Sequence, residues 1–326
     1  GKSVVFNFAI GGGIGMANGY SCLMKSVGTA LSTCIAGVAA SLTSDAGGTG
    51  YSLRPSLFLG FWNGNTPQVF LQIDQAGSVK VYRGAPGGTQ TLLGTAASSI
   101  SPTSYNYLEL KATIHASAGT IDVQVNGTNV LSLTSQNTSN DGTTIITHAV
   151  VGTASGNGGT GFSTTPQAYF DDLYICDTTG SAPYNTFLGD MHVTTLYPTS
   201  NYSVAWTPLA STNYPEVNEA TMDGDSSFNY ASSNGLVDLF GSGGMPINPT
   251  SVLAVQVKVA ARQSLAGPGT YSAELRSGTT EVTGSAVSMS STYTYQSFIW
   301  TTDPNTGSAW TVSNVSAATF GYKRLS

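Results

Sequence analysis

Two groups of acidic residues have the composition of a calcium site. Asp171 and Asp172 are adjacent, and Asp223 and Asp225 flank Gly224. Calcium binds carboxylate and carbonyl oxygens that loops present, so these four aspartates, together with Glu219 near the second pair, are candidate ligands and calcium is a candidate cofactor. A constant melting temperature in millimolar calcium would reject either site. The competing interpretation of 223–225 is a turn held by its own aspartate side chain, which needs no metal.

Sugar hydrolysis requires a different arrangement of acids. A glycosidase places two carboxylates on either side of the scissile bond, one as acid and one as nucleophile or base. The first 182 residues contain a single glutamate, Glu109, and the Glu-x-Asp-x-x-Glu motif of sandwich-fold glucanases is absent. Asp122 stands alone, and the acidic groups named above lack the required spacing. The sequence therefore predicts no catalytic residues, and we expect the chain not to be an enzyme.

Other motifs that would indicate catalysis or cofactor binding are missing. The sequence contains no Gly-x-Ser-x-Gly, His-Glu-x-x-His or Walker pattern. The run 11–13 of three glycines follows a predicted strand but lacks the lysine and helix of a phosphate-binding loop, so it is interpreted as a turn. His115, His148 and His192 are scattered along the chain, which argues against a zinc site.

The charge balance excludes several partners. The formal net charge is −6, the pI is about 4.8 and 9% of residues are charged, so no basic surface is expected for phosphates or anionic lipids. Gly28 and Gly37 interrupt the apolar-leaning stretch 26–44, which is too short to span a bilayer. Nucleic-acid binding and membrane insertion are therefore not expected.

The chain has three cysteines, which are Cys22, Cys34 and Cys176. This number is too small for a disulfide framework, so they are interpreted as small buried residues of a protein assembled in the cytosol.

Aromatic side chains are the remaining candidates for ligand recognition. Tyrosine and tryptophan stack on sugar rings while their polar atoms bond hydroxyls, and the chain has 16 tyrosines and four tryptophans. Trp62, Tyr82, Tyr105 and Tyr107 lie near predicted turns. Packing inside a β core accounts for the same residues, so the sequence leaves both interpretations open.

Alternation of apolar and polar residues predicts β-strands along the whole chain. The clearest runs are 4–10, 57–62, 69–73, 79–82, 108–114, 121–125, 169–176, 191–196, 252–261, 271–275 and 295–300. Asn126-Gly127 between alternating segments predicts a hairpin. Residues 23–42 have helix-like spacing of apolar residues, but their Thr, Ser and Val content favours strands. The fold class predicted from these patterns is an all-β sandwich.

A run of turn residues at 178–183 predicts a domain boundary. It follows a completed strand, and new strand patterns begin after it. The chain therefore divides into residues 1–182 and 183–326, each expected to form an antiparallel β-sandwich. Six basic and eight acidic residues precede Pro183, and five basic and nine acidic residues follow it. Neither domain is therefore a basic binding module.

Several short segments resemble a passage found in bacteriophage tail and virion-associated proteins. The region of resemblance extends from residue 169 to Trp310, about half of the chain. Its segments are 169–177 (Tyr-Phe-Asp-Asp-Leu-Tyr-Ile-Cys-Asp), 187–190, 196–198, 206–208, 213–214, 217–219, 223–225, 254–257 and 302–304. The resemblance implies a concanavalin A-like (laminin G-like) sandwich followed by a second, jelly-roll-like sandwich. It also implies a non-enzymatic virion protein of the tail, of a fibre or of the head decoration, with no defined catalytic residues.

The resemblance further implies partners and a location. The protein is expected in the virion after assembly in the host cytoplasm, in contact with other virion proteins and with host-surface glycans. Long sheet edges that neighbours can pair with predict a homo-oligomer. Two alternatives stay open: a secreted bacterial carbohydrate-binding module, and a tail-spike glycan depolymerase with a pair of acids in a groove.

Overall fold

The fold is described from a computed structural model of the chain. The structure describes residues 4–6, 20–42, 56–74, 76–154, 168–264 and 269–326. The predicted strand residues beyond Phe6 and the glycine run 11–13 lie outside the described residues. The chain forms two compact units, Gly1–Val193 and Thr194–Ser326.

The described residues of the first unit form twelve strands. They are β1 (Val4–Phe6), β2 (Tyr20–Leu31), β3 (Thr33–Leu42), β4 (Ser56–Asn63), β5 (Thr66–Ile73), β6 (Ser78–Gly84), β7 (Gln90–Ser99), β8 (Asn106–Thr113), β9 (Gly119–Val125), β10 (Thr128–Gln136), β11 (Ile146–Ala154) and β12 (Ala168–Cys176). They build two six-stranded antiparallel sheets, ordered β1-β12-β3-β8-β9-β10 and β2-β11-β4-β5-β6-β7. Alternate residues such as Val38, Leu59 and Leu110 fill the core between the sheets, which makes this unit a β-sandwich.

Two local predictions for this unit are confirmed. Asn126 and Gly127 have φ angles of 51° and 75° and join β9 to β10, as a two-residue type I′ turn requires. Residues 23–42 form β2 and β3 and no helix. Most residues of β3 are buried, on both of its faces. A strand buried in this way has a continuous apolar run, which explains why its pattern also fitted a helix.

Large aromatic side chains cover the outer face of the second sheet. Phe58 and Trp62 on β4 stack with ring centroids 5.7 Å apart, and Phe70 on β5 meets Phe58 edge-on. A Cβ atom on Gly60 would lie 2.4 Å from Cζ3 of Trp62. The Trp62 ring therefore occupies the space that any larger residue at position 60 would fill.

The segment after β12 covers the outer face of the first sheet. Phe187, Leu188 and Met191 pack on the cluster that contains Tyr107 and Tyr174. This apolar contact attaches residues 187–191 to the first unit.

Two buried carboxylates of the first sheet hold the same segment by its backbone. Glu109 Oε1 accepts hydrogen bonds from the Tyr174 hydroxyl and, at 2.9 Å, from Gly189 N. Asp172 Oδ1 accepts from Val193 N at 2.8 Å. Burial and the Glu109 carboxylate raise the pKa of Tyr174, so its hydroxyl keeps the proton that it donates. The first unit consequently extends to Val193, past the boundary placed after residue 182 from the sequence.

The described residues of the second unit form ten strands and two short helices. The strands are β13 (Ser200–Val204), β14 (Thr207–Pro208), β15 (Asn229–Tyr230), β16 (Val237–Gly241), β17 (Val255–Ala261), β18 (Thr270–Ser277), β19 (Thr280–Thr283), β20 (Val287–Ser288), β21 (Thr294–Trp300) and β22 (Thr319–Arg324). A 3-10 helix spans Tyr214–Glu216, and α1 spans Val312–Ala317. The larger sheet has the order β13-β16-β22-β18-β19 with β20 beside β18, and two further sheets are the pairs β14-β15 and β17-β21.

The β17-β21 pair packs on the larger sheet of the second unit. Val257 and Val259 of β17 and Phe298 of β21 share one core with Tyr271 and Leu275 of β18. This unit is therefore also a sandwich of antiparallel sheets. The predicted all-β fold class with consecutive β-sandwiches is confirmed.

The buried residue Asp238 ties the loop before the 3-10 helix to the larger sheet. Its Oδ1 accepts from Ala205 N and Trp206 N, at 2.7 and 2.8 Å. Its Oδ2 accepts from Asn213 Nδ2 at 2.9 Å and from the Tyr322 hydroxyl at 3.2 Å. Four donors satisfy this carboxylate, so it stabilises the fold.

The cysteines behave as packing residues. Cys34 and Cys176 are buried, Cys22 is half-buried, and all three are free thiols. Burial raises the pKa of Cys34, and raises that of Cys176 to about 12, so neither is a reactive thiolate at neutral pH. Within the described parts of the chain, no helix has the length and apolar character needed to cross a membrane.

Asp303 organises the loop that leads to α1. Its Oδ1 accepts from Asn305 N at 3.0 Å, and its Oδ2 accepts from Thr306 Oγ1 at 3.2 Å and Asn314 Nδ2 at 2.6 Å. Burial alone would raise the pKa of Asp303, but these donors and Ser277 outweigh it, and the pKa lies below its ordinary value.

We predict that Asp303→Asn makes the protein less stable at pH 7, by about 1–3 kcal/mol, because buried donors lose their ionised acceptor. The wild-type advantage is complete above the unfolded pKa of about 4 and disappears as pH falls through the lower folded pKa. Urea unfolding followed by tryptophan fluorescence at pH 7 and at acid pH measures it, since Trp310 lies in the same unit. An equal difference between the two proteins at both pH values would contradict this role.

We predict that Gly60→Ala destabilises the protein by about 1–3 kcal/mol, because the added methyl group overpacks the aromatic layer. The methyl would also lie 2.7 Å from Val69 O, so moving Trp62 alone does not relieve the contact. Gly88→Ala is the matched control, since its nearest neighbour is at 3.4 Å. Thermal unfolding of both variants provides the measurement, and equal melting temperatures would show that the space above Gly60 is not limiting.

Candidate functional site

The first predicted calcium pair lies at a bulge in β12. The register with β3 shifts between Asp171 and Tyr174, and Asp172 has a φ of 54°. Asp171 Oδ1 accepts from Asp172 N at 2.9 Å. Asp172 binds Val193 N and, at 3.1 Å, His192 Nδ1. Asp172 therefore holds the segment after β12 in place, and its two oxygens have protein partners.

The two aspartates of the second predicted calcium pair, Asp223 and Asp225, form hydrogen bonds with different partners. Asp223 accepts from Ser227 N at 3.3 Å and from Ser227 Oγ at 3.0 Å, which matches the alternative of a turn held by its own aspartate. Asp225 is paired with Arg262. No group of three or more potential metal ligands occurs among the residues that the structure describes. Calcium binding by Asp171, Asp172, Asp223 and Asp225 stays a prediction.

The four aromatic residues that the sequence assigned either to ligand recognition or to core packing differ in their exposure to solvent. Trp62 is 1% exposed and Tyr107 is 3% exposed, so both are packing residues. Tyr82 is half-buried against the Phe70 ring. Tyr105, at 59%, is the member of this group that faces solvent. A sugar ring cannot stack on the buried members of the set in this conformation.

A continuous exposed surface lies on the outer face of β17 and β21. Val257 and Val259 point into the core, so Lys258 and, just past the strand, Arg262 lie on the other side. Tyr295 is paired with Ala260, between these two cations. Tyr293 and Asp225 complete the group. Together Lys258, Arg262, Tyr293, Tyr295 and Asp225 are called the tyrosine–arginine surface.

Hydrogen bonds fix one end of the tyrosine–arginine surface. Arg262 Nη2 donates to both carboxylate oxygens of Asp225, at 2.8 and 2.9 Å, and Arg262 Nε donates to Oδ1 at 3.1 Å. The Tyr293 hydroxyl donates to the same Oδ1 at 2.9 Å. Arg262 Cζ lies 5.3 Å from the centre of the Tyr293 ring. The hydrogen bond from Arg262 lowers the pKa of Asp225, and the same bond raises the pKa of Arg262, so both stay charged at neutral pH.

The other end of the surface is an exposed aromatic ring. Tyr295 is 49% exposed, and Lys258 Nζ lies 4.2 Å from its ring centre. A cation–π contact at an exposed site contributes about 0.5–1 kcal/mol. Lys258 can therefore leave the ring for a ligand at small cost.

The arrangement places complementary recognition groups side by side. A tyrosine ring offers an apolar platform with a hydroxyl at its edge. The Arg262–Asp225 pair offers oriented donors and acceptors whose geometry is already set. None of these side chains is buried, and nothing in the group forms an acid pair for hydrolysis. The surface is suited to binding a polyhydroxylated molecule.

Sequence reasoning found one member of this surface and assigned it another role. Asp225 was predicted as a calcium ligand, and the structure pairs it with Arg262, which lies 37 positions further along the chain. The alternation of Lys258, Ala260 and Arg262 was readable as one strand face. Their position beside Tyr293 and Tyr295 depends on strand pairing, which no local pattern specifies.

The fold and this surface define a two-unit, all-β sandwich protein with a solvent-exposed tyrosine–arginine–carboxylate surface. No protein family profile matches the chain. Comparison with curated proteins also finds no match.

Solved structures similar to this chain include three proteins connected with carbohydrates. They are the carbohydrate-binding module CBM66 from Bacillus subtilis (10% identity, 52% of this chain and 92% of that chain covered, TM-score 0.31), the galectin LEC-6 from Caenorhabditis elegans (11%, 52% and 94%, 0.29), and a mutant of the alginate lyase Aly36B in complex with alginate trisaccharide (16%, 53% and 80%, 0.34). At such low identities and TM-scores, no property of these proteins is transferred to this chain.

Proposed function

We propose that this chain is a non-enzymatic carbohydrate-binding protein, and that the tyrosine–arginine surface of its second unit contacts the sugar. The observation that carries the proposal is the position of half-exposed Tyr295 beside a hydrogen-bonded Arg262–Asp225 pair. The C–H face of a sugar ring stacks on the tyrosine, and neighbouring hydroxyls bond the guanidinium and the carboxylate. This role agrees with the carbohydrate-binding alternative that the sequence left open.

Four buried carboxylates form hydrogen bonds that stabilise the fold, which supports a role in binding without hydrolysis. Glu109 and Asp172 hold the segment after β12, Asp238 accepts from four donors, and Asp303 organises the loop before α1. A glycosidase needs one acid that can protonate the leaving group and a second that is free to attack or to activate water. These acids are engaged by the fold itself. Release of reducing ends from a polysaccharide by the purified chain would overturn the non-enzymatic part of the proposal.

A place in a bacteriophage particle is the narrower form of this proposal. It is supported by the sequence resemblance of segments such as 169–177, and it includes other virion proteins and host-surface glycans as partners, a homo-oligomeric state and location in the virion. The three similar structures bear names unrelated to phages. Copurification of the chain with intact particles tests this form, and its absence from particles would favour a carbohydrate-binding protein outside a virion.

We predict that Tyr295→Ala weakens binding to glycans about two- to tenfold, because an aromatic contact worth about 0.5–1.5 kcal/mol is lost and 1.4 kcal/mol is a factor of ten. Tyr295→Phe keeps the ring and is expected to bind within about twofold of the wild type. A glycan array selects the ligand, and calorimetry measures its affinity.

Tyr105→Ala is the matched control, since Tyr105 is an exposed tyrosine of the other unit. We expect it to bind as the wild type does. Equal affinities of Tyr295→Ala and Tyr105→Ala would exclude the tyrosine–arginine surface as the binding site. An array without signal would remove the proposed function altogether.

A further inference from the structure

The second unit carries a similar group of side chains on its opposite face. Along β18, Tyr271, Ala273 and Leu275 belong to the core, so Arg276 lies on the outer face of the larger sheet, where its side chain is 23% exposed. The β17-β21 pair packs on the core face of the larger sheet. The outer face of the larger sheet and the tyrosine–arginine surface are therefore opposite sides of this unit.

Tyr202 reaches Arg276 across this outer face. The strands β16 and β22 separate β13 from β18, which places β13 and β18 about 14 Å apart at the usual spacing between strands. Arg276 Cζ nevertheless lies 4.8 Å from the centre of the Tyr202 ring. Both side chains must therefore extend over the strands between them. The register of β13 with β16 shifts between Asn201 and Ser203, and a bulge of this kind redirects the side chain within it.

A carboxylate completes the group. Arg276 Nε lies 3.6 Å from Glu281 Oε1, and the Glu281 side chain is 51% exposed. Tyr202 is also 51% exposed. Lys323 Nζ donates to Thr283 Oγ1 at 3.4 Å nearby on the same sheet. An exposed tyrosine ring, an arginine over it and an exposed carboxylate repeat the composition of the tyrosine–arginine surface.

We propose that Tyr202, Arg276 and Glu281 form a second sugar-binding surface, so that the second unit binds one glycan on each of its outer faces. The inference rests on the proposed function, because it assigns the same class of ligand. Surfaces that face opposite directions bind separate oligosaccharides. A long polysaccharide that meets both surfaces of many molecules becomes cross-linked, and avidity rises without any new contact.

Calorimetry of the whole chain with hexasaccharides of a neutral glucan and of a polyuronate tests the stoichiometry. We expect two hexasaccharides bound with wild-type affinity per wild-type chain, one for Tyr202→Ala, one for Tyr295→Ala and none for the double variant. Arg276→Gln keeps a long side chain over the sheet and is also expected to bind one, so the test does not depend on the folding of Tyr202→Ala. Tyr105→Ala is the control and is expected to bind two.

The outcomes separate the two proposals. The second surface is overturned if the wild type binds one hexasaccharide per chain, and if this binding is lost in Tyr295→Ala but retained in both Tyr202→Ala and Arg276→Gln. That outcome leaves the proposed function intact. No binding of either hexasaccharide to the wild type overturns both. Light scattering with the parent polysaccharide adds a second readout. Each single tyrosine variant is expected to form smaller complexes than the wild type at the same concentration, and complexes of wild-type size with Tyr202→Ala count against the second surface.

Discussion

Burial of apolar strand residues against a second layer is the interaction on which the rest of this structure depends. In the first unit it operates on both faces of the sheets. Leu59 and its alternate neighbours fill the core between the sheets, while Phe58, Trp62 and Phe70 pack on the outer face of one sheet. Residues 187–191 cover the outer face of the other. Most large rings of this unit are therefore packing residues, and few are available for recognition.

The same burial decides the role of the acidic side chains. A carboxylate removed from water is costly unless hydrogen bonds satisfy it. Glu109 and Asp172 accept from backbone N–H groups of the segment that covers the first sheet, and Asp238 accepts from the loop before the 3-10 helix. The donors belong to the segments that these acids hold. Connections between strands are thereby fixed by charge-assisted hydrogen bonds, in a chain that has few ion pairs among its described residues.

The second unit has a smaller core and leaves tyrosines at its surface. Tyr295 lies beside a cation of the neighbouring strand, and Tyr202 lies beside a cation that reaches it over two intervening strands. Arginine and aspartate in bidentate contact present a rigid set of donors and acceptors, which reduces the entropy lost when a ligand binds. A protein of low charge and high hydroxyl content gains its recognition chemistry from such ordered clusters, and the proposed binding of carbohydrate follows from them.

The sequence by itself determined many strands of this protein, although residues 191–196, which it also predicted as a strand, form none. Alternation at 121–125 and the Asn126-Gly127 turn predicted the β9-β10 hairpin, since strand period and turn geometry are local properties. Only the tertiary structure decided which side chains meet. Asp225 binds Arg262, Tyr202 meets Arg276 over two intervening strands, and Trp62 is covered while Tyr105 is exposed. Strand order and the packing of layers bring together residues that are distant along the chain, and neither leaves a pattern within a short window of sequence.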